Sequence, residues 1–205
     1  MLQKFELVEC VELLRGARPA YSLDVRQLSL ILAGWMIFLG GKASSAEDGR
    51  RIAEEKLADG SALRIFREMV AAQGGDVAAL DAGMAFHRPK FRREFRADRS
   101  GYFAAADCTK IGWAVQRLGA GRERAGEPVE AHAGLSMHVK LADKIEAGQT
   151  LATLFAEDEA RFAEPENLLR EALTIGDRPV SAPPLVREII SAENKDFFLR
   201  RRSRP

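Results

Sequence analysis

The pair Gly74 and Gly75 divides this sequence into two parts that are built differently. Before the pair, Phe66, Met69 and Val70 recur at three- and four-residue spacing, which predicts a helix with an apolar stripe on one side. Glycine enters the left-handed backbone conformation at little cost, so the pair predicts the end of that helix. After the pair, most of the chain consists of short segments typical of strands. The predicted fold class is therefore α+β, a helical layer followed by a mixed domain of short antiparallel strands with two helices.

The first part of the chain predicts about four helices joined by short loops that contain glycine. Their predicted spans are residues 4–15, residues 23–39, a segment ending near residue 58, and a segment ending within residues 66–76. Hydroxyl side chains supply the predicted N-caps of the later helices. Ser22 precedes the second helix, Ser44 and Glu47 have the spacing of a capping box, and Ser61 precedes the fourth.

The second helix is apolar on nearly every side from Leu28 to Leu39. The run covers about 12 residues, whereas a membrane-spanning helix needs about 20. We therefore expect a core helix that is covered on several sides. The cover could come from the strand-rich part, from a partner, or from chain that is absent here.

The second part of the chain predicts strands interrupted by two helices. The predicted strands are residues 91–96 and 101–106, paired as a hairpin, and residues 134–140 and 150–155, joined by a turn that closes at Gly148. The first predicted helix begins at Asp107 or Thr109, and the second spans residues 158–173. The predicted divisions are a helical segment 1–76, a linker 77–90, an α+β domain 91–190 and a disordered basic tail 191–205.

Charge and cysteine content exclude several classes of protein. The chain has 31 basic and 30 acidic residues, so no overall field recruits nucleic acid or a membrane. The basic tail could bind nucleic acid by charge alone, but a solvated terminus is the simpler interpretation. Cys10 and Cys108 lie far apart, which predicts free thiols and a reducing, cytoplasmic location. The N-terminal residues do not resemble a signal peptide, and the chain begins almost inside a helix, so we expect that upstream sequence is missing.

The histidines, Cys108 and the glycine pairs do not predict a metal site or a phosphate loop. His87, His132 and His138 have no ligand at helical spacing, and His132 and His138 on one strand would stand about 20 Å apart. Cys108 has no neighbouring cysteine that would make a zinc site. The glycines at 40–41, 74–75 and 119–121 follow helices, whereas a phosphate loop needs the N–H groups of a helix N-terminus.

The turn between the last two predicted strands offers a different kind of site. Its residues Asp143, Lys144 and Ile145 partly resemble the lysine-bearing turn of biotinyl or lipoyl carrier domains. A carrier function with modification of Lys144 is thus a third alternative, which would require a covalent adduct on that lysine.

Several short segments together resemble the C-terminal half of the thymidine phosphorylase and pyrimidine-nucleoside phosphorylase family. The segments are residues 5–9, 13–16, 41–43, 66–76, 99–102, 118–122, 134–135, 147–148 and 151–154. Segments 66–76 and 118–122 carry most of the specificity. One departure is Ala142, where the family usually has glycine before the aspartate of a turn.

The resemblance implies an activity whose residues lie mostly elsewhere. Enzymes of the family are pentosyltransferases that split pyrimidine nucleosides with phosphate, giving a free base and a pentose 1-phosphate. The family's phosphate-binding, base-binding and dimer-forming residues lie in its N-terminal half, and none of those motifs is present in this chain. The resemblance therefore assigns no catalytic or substrate-binding residue here. It implies one ligand, Glu9, for a monovalent cation, although a solvated acidic face with Glu6 and Glu12 explains the same residue.

Two hypotheses of different classes follow. In the first, the chain is the C-terminal portion of a thymidine phosphorylase-like enzyme, inactive alone, with phosphate as co-substrate and no other cofactor; its partner would be an N-terminal half or a second copy. In the second, it is a stand-alone binding or scaffold module. Exposed apolar surface on the first two helices favours the first hypothesis, and an ordered monomer without an apolar patch favours the second.

Overall fold

The computed structural model describes residues 4–82, 88–122 and 124–190. It confirms the predicted α+β class, with five helices followed by six strands and two further helices in these residues. The helical part comprises α1 (Lys4–Leu14), α2 (Leu23–Leu39), α3 (Ala46–Ala58), α4 (Ser61–Ala72) and α5 (Val77–Asp81). The second part comprises β1 (Phe91–Arg96), β2 (Gly101–Ala106), α6 (Cys108–Val115), β3 (Gly134–Met137), β4 (Lys144–Ile145), β5 (Thr150–Ala156), α7 (Ala163–Ala172) and β6 (Leu173–Gly176). The predicted tail 191–205 and His87 lie outside the described residues.

The glycine pair ends α4 as predicted. Gly74 has a φ of +75°, which a residue with a Cβ adopts only with strain. Its N–H donates to the carbonyl of Ala71 at 3.0 Å, and that of Gly75 donates to the carbonyl of Val70 at 2.8 Å. These two bonds satisfy carbonyls that the last turn of a helix leaves without partners. Asp76 then caps the short helix α5 by accepting from the N–H groups of Ala78 and Ala79.

Three predicted N-caps differ from the structure. Ser22 precedes α2, but its side chain makes no capping hydrogen bond and is buried. The cap of α3 is Ser45, one residue later than predicted, and it accepts from the N–H of Asp48 at 3.1 Å. Ser61 is the first residue of α4, and Asp59 accepts from its N–H at 2.8 Å. For α3 and α4, a neighbouring polar residue, Ser45 or Asp59, binds the backbone N–H in place of the predicted cap.

The predicted hairpin of β1 with β2 is wrong, because the two strands belong to different sheets. One sheet has the order β1-β5-β3 and the other has the order β4-β2-β6, and all pairs are antiparallel. Phe95 on β1 and Phe103 on β2 are both buried in the shared core, so the turn around Ser100 carries the chain from one sheet to the other. The pairing of β3 with β5 is confirmed.

Two short strands, β4 and β6, were absent from the sequence prediction. The segment predicted as one helix, 158–173, consists of a 3-10 helix, Glu159–Phe162, followed by α7. Leu173 begins β6, where it lies opposite Ala106 of β2. β4 has only two residues, inside the segment interpreted as a turn.

The main hydrophobic core lies entirely in the second part of the chain. Its fully buried members include Leu118, Ile145, Leu154 and Leu169, contributed by both sheets, α7 and the turn after α6. No residue of α1–α5 belongs to this core among the described residues. The core is consistent with a domain within residues 91–190, a boundary that stays a prediction.

The expectation that α2 is a covered core helix is wrong. Leu30 and Gly34 are its only buried described residues. Leu32, Met36 and Leu39 expose 56%, 74% and 76% of their surface. The stretch Ala20–Leu39 has 20 residues and a mean hydropathy of 1.3, so by length and composition alone it could cross a membrane. The strand-rich part therefore does not cover this helix.

The buried side of α2 packs directly on α3 through two glycines. A Cβ added to Gly34 would lie 2.5 Å from the carbonyl oxygen of Ala46, and one added to Gly49 would lie 2.2 Å from that of Gly34. Such contacts leave no room for a side chain, so the two backbones meet at this crossing. The pair α2–α3 is consequently fixed in one relative orientation, with the rest of α2 facing outward.

Candidate functional site

Glu9, the ligand implied by the resemblance, lines a groove between α1 and β3. The groove has a volume of about 430 Å³, and Phe5, Tyr21, Ser136 and Met137 share it with Glu9. α1 is held there by Phe5, whose ring stacks on that of Phe155 at a centroid distance of 4.7 Å. The groove wall is therefore mostly apolar, with two carboxylates, those of Glu6 and Glu9.

Glu9 does not belong to a metal-binding group of side chains within the described residues. No group of three or more histidine, cysteine, aspartate or glutamate side chains in that part of the chain could hold a metal ion. Tyr21, the nearest phenol, donates to Glu12 at 2.5 Å instead. This hydrogen bond, together with partial burial and the charges of Glu12 and Glu9, raises the pKa of Tyr21 to about 12. Glu9 stays a predicted ligand, and we derive no chemistry from it.

The structure separates the two described histidines and gives each a protein partner. His132 Nε2 lies 2.6 Å from Glu157 Oε1, and His138 Nε2 lies 2.7 Å from Thr153 Oγ1. Cys10 and Cys108 are both unpaired, and burial raises the pKa of the Cys10 thiol. His138 thus connects the residues after β3 to β5, and His132 contacts the residue that follows β5.

The glycines at 119–121 form a helix end, as predicted. Gly119 has a φ of +108° in the π-turn Gln116–Ala120, and its carbonyl accepts from the N–H of Glu130 at 2.9 Å. This hydrogen bond joins the turn to the loop that contains Glu130. Lys144, the candidate carrier lysine, is exposed on β4 opposite Tyr102 of β2.

The turn before β4 contains the departure from the family pattern, and its backbone is strained. Ala142 has a φ of +79°, and no other non-glycine residue among those described has a positive φ. Its N–H donates to the carbonyl of Phe103 at 2.9 Å, and Asp143 accepts from the N–H of Lys140 at 2.7 Å. The turn therefore keeps the conformation that suits glycine, although alanine occupies it.

The outward side of α2 is an uncovered apolar surface, and sequence reasoning predicted it to be covered. Val25, Leu28, Leu32, Met36 and Leu39 recur at helical spacing along it, and each is exposed. We call these five residues the α2 face. Segment 185–190 lies beside its first half, where Leu185 and Ile189 share a cavity of about 360 Å³ with Leu28, Leu32 and Trp35. Met36 and Leu39 do not line that cavity.

Comparison with known proteins gives the family. Residues 102–176 match the family described as the pyrimidine nucleoside phosphorylase C-terminal domain. The chain carries the C-terminal domain of the pyrimidine-nucleoside phosphorylases. It is 33% identical over 186 residues to the pyrimidine-nucleoside phosphorylase of Geobacillus stearothermophilus, an alignment that covers 91% of this chain and 42% of that enzyme. The chain is 31% identical over 186 residues to the corresponding enzyme of Staphylococcus aureus strain USA300, an alignment that again covers 91% of this chain and 42% of that enzyme.

The match extends beyond the C-terminal domain into the helical part, because the domain accounts for only part of the aligned residues. The chain spans 42% of the length of these phosphorylases, and the matched share is their C-terminal part. The resemblance stated from the short segments is therefore confirmed.

Proposed function

We propose that this chain is the C-terminal, supporting portion of a pyrimidine-nucleoside phosphorylase, that it acts in the cytoplasm, and that it is inactive without the N-terminal portion of the fold. The observation that carries the proposal is the alignment of 91% of the chain with 42% of complete enzymes. The reaction would be the phosphorolysis of a pyrimidine nucleoside, a pentosyl transfer to phosphate. The exposed α2 face favours this function over a stand-alone module, which would cover such a surface.

The chain's own residues would support that reaction without touching the reacting atoms. Phosphate attack on the sugar builds positive charge at the anomeric carbon, so catalysis needs an aligned anion and donors toward the departing base. The resemblance places the groups that would do this in the N-terminal half of the family, and the described residues contain no group of histidine, cysteine, aspartate or glutamate side chains that could hold a metal ion. Their contribution is a rigid α+β domain and a helix layer onto which the catalytic portion can pack.

Phosphate-dependent release of thymine from thymidine tests the proposal. The chain is assayed alone and mixed with the N-terminal portion of the Geobacillus stearothermophilus relative. We expect no turnover by the chain alone and turnover in the mixture. Turnover by the chain alone would contradict the proposal, because it would require catalytic groups inside these 205 residues.

Glu9 and the implied monovalent cation belong to the same proposal. In the active mixture, Glu9→Gln is expected to weaken any activation by potassium chloride over sodium chloride, since the carboxylate charge that favours a cation is lost. Glu47→Gln, an exposed carboxylate on α3 that does not line this groove, is the matched control. Equal salt responses in both variants would remove Glu9 from the site.

A further inference from the structure

The end of the α2 face that Met36 and Leu39 form is apolar and uncovered among the described residues. The two side chains belong to residues that expose 74% and 76% of their surface. After Arg26, the remaining residues of α2 include no aspartate, glutamate, lysine or arginine. An exposed apolar patch of this kind is typical of a surface that binds another apolar group. A group that covers this end therefore has to be apolar itself.

The chain already lies next to this end of the helix. Ile190, the last residue of the described range that ends there, lines a cavity of about 360 Å³ with Leu32 and Trp35. Met36 follows Leu32 by four residues on α2, and Leu39 follows Trp35 by four. Residues four apart are neighbours on a helix surface, separated by one turn of about 5.4 Å. The uncovered pair thus lies one turn beyond the point that the described chain reaches.

The residues that follow Ile190 bring apolar side chains within reach of that pair. Three consecutive apolar residues, Phe197, Phe198 and Leu199, occur there, six residues after Ile190. An extended chain spans about 3.3–3.6 Å per residue, so this connection can bridge about 20 Å, several times the length of one helical turn. A short connection also keeps the three residues at an effective concentration in the millimolar range, at which a contact too weak to hold a separate molecule can form.

We propose that residues 197–199 dock on the α2 face at Met36 and Leu39 and continue the cover that segment 185–190 begins. The arginines at 200–202 stay in solvent, since this part of α2 has no carboxylate. The first half of the face keeps the exposure that the structure shows, so its support for the proposed function is unchanged. The contact lies within one chain and does not depend on that function.

Oxidation of Met36 by hydrogen peroxide tests the contact, because the oxidant reaches an exposed thioether faster than a covered one. Peptide mapping by mass spectrometry gives initial rates for the unaltered chain and for the double variant Phe197→Glu, Phe198→Glu. We expect Met36 to be oxidised at least about threefold faster in the double variant. Met69, 46% exposed on α4, is the internal reference and should be oxidised at the same rate in both chains.

The matched control variant is Ser191→Glu, Ser203→Glu. It adds the same two charges to the same segment and leaves residues 197–199 unaltered, so Met36 should be oxidised as in the unaltered chain. Equal Met36 rates in the unaltered chain and in the phenylalanine double variant would overturn the proposal. Equal acceleration in the serine control would also overturn it, because charge and not the apolar contact would then be the cause.

A disulfide between the two surfaces tests the same contact by proximity. In a chain with Cys10→Ser and Cys108→Ser, the pair Met36→Cys, Phe198→Cys is treated with oxidised glutathione. We expect an internal disulfide in a monomer, whereas Trp113→Cys, Phe198→Cys should form none, since Trp113 lies on α6 and does not line the cavity. Disulfide-linked dimers would assign this end of the face to a second copy and overturn the proposal. Flotation with phosphatidylcholine vesicles that Met36→Glu abolishes would assign it to lipid.

The docking contact and the proposed function fail in different ways. A slower oxidation of Met36 in a chain that releases no thymine in the mixture would overturn the function and leave the contact intact. Thymine release together with equal oxidation rates would do the reverse.

Discussion

At the scale of single residues, Ala142 is the position where sequence and backbone disagree. The left-handed backbone conformation destabilises the folded state by about 1–2 kcal/mol when alanine adopts it. Glycine avoids this strain, but its unfolded chain is more flexible, and ordering it costs about 0.4–1 kcal/mol more than ordering alanine. Because φ is +79° here, we expect Ala142→Gly to raise the free energy of unfolding by about 0.5–1 kcal/mol. Urea denaturation measures the change. Ala147→Gly, in an exposed turn without positive φ, is the control and should lower stability.

The sequence showed that residue 142 departs from the family pattern but not which conformation it takes. The resemblance implies glycine at this position, so the conformation of the turn was left open. The hydrogen bonds of the Ala142 N–H to Phe103 and of the Lys140 N–H to Asp143 hold the turn in place. Tertiary contacts therefore override the preference of the residue, which the local sequence cannot show.

Tyr21 gives a second prediction at this scale, based on its hydrogen bond to Glu12. The bond raises the pKa of Tyr21 to about 12, because ionisation removes the donor and places two negative charges together. The bond's contribution to stability is present below the ordinary pKa near 10 and is lost as pH rises through about 12.

Phenolate absorbance of the Tyr102→Phe variant, in which Tyr21 is the remaining tyrosine, measures the titration directly. Glu12→Gln should bring the midpoint back toward the ordinary value. Circular dichroism at each pH is the control for unfolding. Equal midpoints in both variants would contradict the assigned cause.

At the scale of secondary-structure elements, the glycine crossing of α2 and α3 has the largest predicted effect. In Gly49→Ala the new methyl would lie 2.2 Å from a backbone oxygen, so the helices must separate. We expect a loss of about 3 kcal/mol, which exceeds the gain of about 1 kcal/mol from better helix propensity.

Gly112→Ala on α6 is the matched control for that substitution. No atom lies within 4 Å of its added methyl, so it should gain about 0.5–1 kcal/mol. Urea denaturation of both variants separates the contact from the propensity. Equal changes in the two would mean that the α2–α3 contact does not fix the helix pair.

Helix positions followed from the sequence, whereas most strand partners, apart from the pairing of β3 with β5, did not. Glycine and apolar spacing mark the ends of α1–α4 locally, and the observed helices agree with the predicted spans. Strand pairing depends on residues far apart in the chain, such as Phe95 with Ala152. β4 and β6 have two and four residues, too few for a period of two to be recognised.

At the scale of the whole molecule, the chain aligns with only 42% of the length of its relatives. The apolar composition of α2 was visible, but a buried helix and an uncovered one have the same pattern, so only the structure shows which it is. Glu9 rests on resemblance alone, because no group of three or more histidine, cysteine, aspartate or glutamate side chains in the described residues could hold a metal ion.

The distribution of the core predicts which part of the molecule folds independently. All members of the main core lie in the second part, whereas α1–α5 bury only Val11, Leu30, Ala53 and Leu80 among their large or aliphatic side chains. We therefore expect a fragment of residues 88–190 to unfold cooperatively near the midpoint of the full chain, and a fragment of residues 1–82 to show no cooperative transition.

The interactions that join the helical part to residues 88–190 are weak, so removing them should cost the longer fragment little stability. They include the Phe5–Phe155 stack, worth about 0.5–1.5 kcal/mol beyond its area, and the exposed Lys140–Asp24 pair, worth about 0–1 kcal/mol. A fragment of residues 98–190 is the control, since it removes β1 with the buried Phe95 and leaves the edge of β5 unpaired, and it should not fold. If residues 88–190 were unfolded in urea-free buffer, the helical layer would be part of the folding unit and the boundary at 77–90 would be wrong.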